Sequence, residues 1–510
     1  MVRMPTAVAV VALVGLLISA SGCGDDGDSP STGAASSTRG AGVARPTLEG
    51  PVTGGSGMPF IASTTFDLGQ VGYAEAEYFI SGTASAYGKV GAFVNDGKWT
   101  VTPGATANYK TRLLVYRPIQ RAKFNGTVVV EWLNVSGGLD AAADWIMGHV
   151  ELLRDGFAWV GVSAQYVGVE GGDALLGVPV VPLKTKDPQR YGSLVHPGDS
   201  FSYDMFSQTA QAIRRPVGIN PLGDLQVNAV LAAGESQSAF RLVTYINAVH
   251  PLADIYDGFL VHSRGGTAVG VAPLSQAPQP AITVPGAAQF RSDLDVPVMT
   301  FETETDLTFL GYARARQPDS ERFRLWEVAG TAHADTYTTG VGETDLGNSP
   351  DAAKLVVTMV TTTPGLATTC DLPINSGPQH YVLNAAIAAL NQWVRHGTPP
   401  PPAPRLIVAA SSPITLVRDA NGNALGGIRT PQVDVPIAAL SGETGTFSLC
   451  TLFGSTLPFD DATLAALYPD HNAYVSAFNA ATDHAVQAGV ILPPDAALMK
   501  AEAAASDIGK

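Results

Sequence analysis

A chain of 510 residues that is 45% apolar and only 15% charged, with 54 glycines and 36 prolines, is too hydrophobic and too weakly charged to remain disordered. It is also long enough to bury a large core. A net charge of −15 with no run rich in lysine or arginine offers no basic surface, so a nucleic-acid partner is excluded.

The first 22 residues read as a signal peptide. Arg3 gives a short basic start, Ala7 to Ile18 is almost continuously apolar, and Ala20-Ser21-Gly22 precedes Cys23. So short an apolar stretch ending in small residues is an export signal and not a membrane-crossing helix. Ala-Ser-Gly-Cys resembles a bacterial lipobox, which predicts lipidation of Cys23. Ala20 is a weaker first lipobox residue than leucine, so plain secretion is the alternative. The chain is expected outside the cytoplasm, touching a membrane only through an N-terminal lipid anchor. Residues 23–45, rich in Gly, Ser, Asp and Thr, read as a flexible tether. Residues 46–510 then form one domain, with a C-terminal extension from about residue 405.

Within that domain short apolar runs alternate with helical stretches. Leu113 to Tyr116, Thr127 to Leu133, Ala158 to Val162, Ala229 to Ala233, Gly258 to Val261, Val296 to Phe301 and Arg324 to Val328 have the β-branched, aromatic composition of strands. Ala141 to Leu153 and Tyr203 to Ile213 have helical spacing. This alternation predicts an α/β fold with a mostly parallel central sheet flanked by helices. Leu383, Ile387, Leu390 and Val394 form one helical stripe, stopped by Gly397 and Pro399 to Pro402. Leu406 to Ile437 reads as β-rich, with a turn at Asn421-Gly422. The tail from about Asp460 reads as helical, with Tyr474, Phe478 and Ala485 on one face. If Cys23 carries lipid, Cys370 and Cys450 remain as an even pair in an oxidising compartment, which predicts a disulfide. Neither Cys-x-x-Cys nor His-Glu-x-x-His occurs, so no metal or cofactor is expected.

The chemistry is carried by Gly234-Glu235-Ser236-Gln237-Ser238. It follows an apolar strand and precedes a helix with Phe240, Val243 and Ile246 on one face. Strand, tight turn and helix are what a nucleophile elbow requires. Gly198-Asp199-Ser200-Phe201-Ser202 matches the same loose pattern but has no strand before it, so context selects Ser236. In such a fold the acid and then the histidine follow the serine in the chain. Asp306, with Glu304 as the alternative acid, follows the strand ending at Phe301. His333 follows the strand ending at Val328. Backbone N–H groups of Gln237 and Asn134, the latter in the loop Asn134-Val135-Ser136-Gly137-Gly138, are the candidate oxyanion donors. The loop also matches an N-glycosylation pattern, which is set aside at an active-site position.

The segments VVVEWLNVSGG, GESQSA, TFETETDL, WEVAGTAHAD and CTLFGSTLPFDDATLAALYPDH together resemble the alpha/beta hydrolase domain family of bacterial secreted proteins, from about residue 60 to the C-terminus. The resemblance implies an α/β-hydrolase fold with insertions, and a serine-hydrolase activity on small-molecule carboxylic esters. Lactonase, thioesterase and acyltransferase chemistry would use the same triad. The competing reading is a non-catalytic binding or cell-surface lipoprotein on the same scaffold.

Overall fold

The β-branched runs pair into the centre of a nine-stranded sheet. The computed structural model describes residues 39–266, 277–348, 350–364, 368–444 and 449–510. The strands are β1 (Thr47–Glu49), β2 (Tyr73–Val90), β3 (Thr100–Pro118), β4 (Thr127–Trp132), β5 (Ala158–Val162), β6 (Ala229–Glu235), β7 (Gly258–His262), β8 (Val298–Thr303) and β9 (Phe323–Val328). Their order is β1-β2-β3-β5-β4-β6-β7-β8-β9. The first three strands are antiparallel, β3 pairs antiparallel with β5, and β4 through β9 are mutually parallel. The six parallel strands are buried along their whole length, because helices cover both faces.

Alternation along each strand sorts side chains between two cores. Val128 and Val130 of β4 and Val230 and Ala232 of β6 pack with Phe206 of the helix Ser202–Arg214 and Leu242 of the helix Gln237–Thr244. Val129, Leu231 and Ala233 face the other way, onto Trp145 of the helix Ala143–Arg154 and Leu383 and Ile387 of the helix Gln379–His396. The sheet order reverses at β4, so the carboxyl ends of β4 and β6 open a crevice between them.

Each run expected as a strand lies in or overlaps one of these strands. The helix Gln379–His396 ends where expected, at Gly397 with φ 73°. The Cys370–Cys450 disulfide is present, with the two Cα atoms 5.6 Å apart. Tyr474, Phe478 and Ala485 join the core beside Leu383. Three features differ from expectation. Strand β2, paired with β3 into a hairpin of 18- and 19-residue strands, has no counterpart among the predicted elements. The segment 406–437 holds only two short strands, Val408–Ser411 and Ile414–Leu416, and the short helix Pro431–Asp434. Its main role is to cover the β9 edge, where Ile428 bridges Val328. The turn at Asn421-Gly422 does form, with Asp419 Oδ1 accepting from Asn421 N and Asn423 N.

The tether is shorter than expected. Arg39 already binds Asp254 and Asp295, Val43 is buried, and Gln211 Nε2 donates to the carbonyls of Gly40 and Val43. A buried apolar side chain and paired main-chain carbonyls dock residues 39–45 on the domain. The signal peptide, Cys23 and the remainder of the tether lie outside the described residues.

Candidate active site

Ser236 sits between β6 and the helix Gln237–Thr244 with φ 56° and ψ −118°. A non-glycine residue held there is strained by roughly 1–3 kcal/mol, and the surroundings must impose it. Ser236 N donates to His262 O at 3.0 Å, and Phe240 N donates to Ser236 O at 3.1 Å. A Cβ on Gly234 would stand 3.1 Å from both Leu242 Cδ1 and Ser238 Cβ. The close approach of strand and helix therefore demands small residues at 234 and 238, so serine can replace the usual second glycine.

The elbow aims Ser236 Oγ at His333 Nε2, 2.8 Å away, and His333 Nδ1 lies 2.7 Å from Asp306 Oδ1. Asp306 Oδ2 accepts from the N–H and the hydroxyl of Thr303, each at 2.7 Å, in a capping box at the start of the helix Glu304–Thr308. The carboxylate is thereby fixed with one oxygen left for the imidazole. Burial disfavours the imidazolium, but the Asp306 hydrogen bond and charge, with Glu235 behind them, outweigh it. The His333 pKa is raised.

Two sequence expectations are corrected. Glu304 does not reach His333. Its carboxylate accepts from Gly330 N at 2.6 Å, and from Gly442 N and Arg418 Nη2 at 3.0 Å each, which ties the extension to the sheet end. The Asn134 backbone N–H is not available to an oxyanion, because it donates to Ala141 O at 2.9 Å in a two-way bridge. Gln237, the first residue of its helix, has no intrahelical acceptor for its N–H and fits the donor role. The competing serine, Ser200, is fully buried, and its Oγ accepts from Gln279 N.

A cavity of about 580 Å³ opens in front of Ser236 and His333, within the size range of small-molecule sites. Glu235 also faces it, a residue that the motif left without a role. Glu235 Oε1 lies 3.4 Å from His333 Nε2, and Oε2 accepts from Asn134 Nδ2 at 3.2 Å. The available signal was a charged residue at the end of an otherwise apolar strand. Arg112 was missed as well. Fully buried, it donates to Asp140 Oδ2 and Phe60 O at 2.6 Å and to Ser163 Oγ at 2.9 Å, which anchors the far end of the Asn134 loop. Among the described residues one group has metal-ligand geometry, His250 with Asp254 and Asp295, and Arg39 already bonds both carboxylates.

The alpha/beta hydrolase domain model matches residues 48–501. A search of curated proteins gives no match. Among solved structures, an esterase from Rhizomucor miehei shares 13% identity over 50% of this chain and 78% of its own, with a TM-score of 0.26. The glucuronoyl esterase from Solibacter usitatus shares 13% over 50% and 76%, with a TM-score of 0.26. A lidless serine hydrolase from Xanthomonas campestris shares 11% over 48% and 83%, with a TM-score of 0.25. With nearly its whole length matched by that family model, the chain belongs to the alpha/beta hydrolase domain family.

Proposed function

We propose that the chain is an exported serine hydrolase that cleaves carboxylic esters through an acyl-enzyme. Ser236 is the nucleophile, His333 the base and Asp306 the orienting acid. The observation that carries this reading is the unbroken hydrogen-bonded line Ser236–His333–Asp306 at the floor of a cavity. A serine hydroxyl attacks poorly at neutral pH, so His333 Nε2 takes its proton as Oγ bonds to the carbonyl carbon. Asp306 holds the tautomer that leaves Nε2 free and stabilises the imidazolium. The Gln237 N–H, at the positive end of its helix, holds the oxyanion together with a second donor from Val135 or Gly137 in place of Asn134. The imidazolium returns its proton to the leaving oxygen as the ester C–O bond breaks. Water then attacks the acyl-enzyme by the same route. Export and lipidation at Cys23 are supported by the apolar run ending in Ala-Ser-Gly-Cys.

A fluorophosphonate probe tests the assignment. It should label the wild type at Ser236 and leave Ser236→Ala unlabelled. A folded wild type that stays unlabelled would instead indicate a binding protein on this scaffold.

A further inference from the structure

The cavity walls come from segments outside the sheet. Leu176 precedes the helix Ser202–Arg214, Leu310 follows the acid-bearing helix, and Leu452 and Phe453 follow Cys450. Each wall is pinned. Leu176 N donates to Ser136 O at 3.2 Å and Leu310 N to Thr305 O at 3.1 Å. Leu452 O accepts from Ala334 N at 3.0 Å, and Phe453 O accepts from Asn375 N at 2.8 Å. The disulfide holds this last segment from its other side. Apolar walls fixed in this way favour an apolar substrate group, and the polar side chains beside them, Asn134, Ser136, Thr338 and Thr339, carry no charge to pair with an ion.

The ionisable groups on the lining are His333 and Glu235, and no lysine or arginine is among the described lining residues. Glu235 is faced by His333 from the loop after β9 and by His262 from β7. Asp144 faces it from the helix Ala143–Arg154, and Asp306 from the helix after β8. A substrate carboxylate would therefore find no cation except the imidazole itself and would meet a protein carboxylate beside the nucleophile.

We propose that the site takes uncharged esters with an extended apolar acyl group and rejects esters bearing a carboxylate, with Glu235 as the residue that repels the anion. The proposal rests on Ser236 being the nucleophile. Burial pushes Glu235 up to about 7, so rejection should strengthen as the pH rises through neutrality.

The test compares 4-nitrophenyl acetate, butyrate, hexanoate and octanoate with the 4-nitrophenyl half-ester of adipic acid, which has the hexanoate chain with a carboxylate in place of its terminal methyl. Background is subtracted with Ser236→Ala. Each methylene removed from water is worth up to about fourfold. From acetate to octanoate kcat/KM should therefore rise at least about tenfold. The adipate half-ester should fall about tenfold or more below hexanoate at about pH 8, and this ratio should shrink toward about pH 6. Glu235→Gln should narrow the ratio at least about threefold. The wild-type pH dependence of the ratio serves as the second readout should that variant fold poorly. A flat or falling acyl series, or equal use of the half-ester, overturns the proposal while fluorophosphonate labelling keeps the nucleophile intact. A ratio insensitive both to pH and to Glu235→Gln overturns the role given to Glu235. Loss of labelling together with all ester turnover overturns the hydrolase reading itself.

Discussion

Glu235→Gln should leave stability little changed in mild acid and raise it above neutrality. Burial lifts the Glu235 carboxyl from 4.5 to about 7. His333 and His262 oppose that rise, and Asp144 and Asp306 add to it. A difference of about 2.5 units at 1.36 kcal/mol each is worth roughly 3 kcal/mol. Because the folded pKa lies above the unfolded one, the folded state favours the neutral acid. The associated stability is fully present below the unfolded pKa and is lost as pH rises through the folded one. Glutamine cannot ionise, yet it keeps an oxygen for Asn134 Nδ2, which donates at 3.2 Å in the wild type. Urea unfolding at about pH 5 and about pH 8 should show the variant gaining up to ~3 kcal/mol on the wild type between the two conditions. Parallel pH dependences in the two proteins would refute the argument from burial.

Further expectations follow from the same geometry. Ser236→Ala and His333→Ala should each lower kcat by on the order of 10⁴-fold, and Asp306→Asn somewhat less, in a continuous ester assay. Glu304→Gln should lower the melting temperature more than kcat, since Glu304 holds Gly330, Gly442 and Arg418. An inactive but stable Glu304→Gln beside an active Asp306→Asn would reverse the two roles. Arg112→Leu leaves Asp140 buried without its cation, so denaturant unfolding should reveal a loss of about 3–5 kcal/mol. Removing the disulfide by Cys370→Ser with Cys450→Ser opens a loop of sequence separation 80. The loss should reach up to ~4 kcal/mol, and KM should rise more for octanoate than for acetate. Mass spectrometry of the mature N-terminus should find a lipidated Cys23, and an intact Met1 or an unmodified Cys23 would refute export as a lipoprotein.

The parallel strands were legible because a strand buried on both faces must be a nearly continuous apolar run, as Ala158–Val162 is. The β2–β3 hairpin was not. Its distal half alternates small and polar residues (Gly82, Thr83, Ser85 against Ala84, Ala86) and gains its partners only in the fold, where Asp204 Oδ2 accepts from Ser85 N and Gln208 Nε2 donates to Thr83 O. Ser236 and His333 could be found from strand–turn context. The choice between Glu304 and Asp306 could not, since they stand two positions apart at one helix start. What separates them is the capping box at Thr303, which turns Asp306 toward the histidine, and the amides of Gly330 and Gly442, which capture Glu304. The Asn134 N–H was misassigned for a related reason. Its acceptor, Ala141 O, lies across a loop whose path the local sequence does not specify.

A second polar layer beneath the triad explains why the elbow is held so firmly despite its strained backbone. His262 lies opposite Glu235 in the β6–β7 register, and its carbonyl takes the Ser236 N–H. Its imidazole spans Asp144 Oδ1 at 2.9 Å and Gln379 Nε2 at 3.1 Å. Asp144 begins the helix Ala143–Arg154, where Glu131 accepts from the N–H groups of Asp144 and Trp145, and Gln379 begins the helix Gln379–His396. Two helix starts and three strand ends are thus joined through one buried histidine. Most of these buried polar groups pair with one another, while Asp144 Oδ2 and Gln379 Oε1 are left without a hydrogen-bond partner. The backbone of Ser236 is tied to this layer through the bond from its N–H to His262 O. A substitution such as His262→Phe, which keeps the ring and removes its hydrogen bonds, should therefore act on the orientation of Ser236 before it touches any substrate.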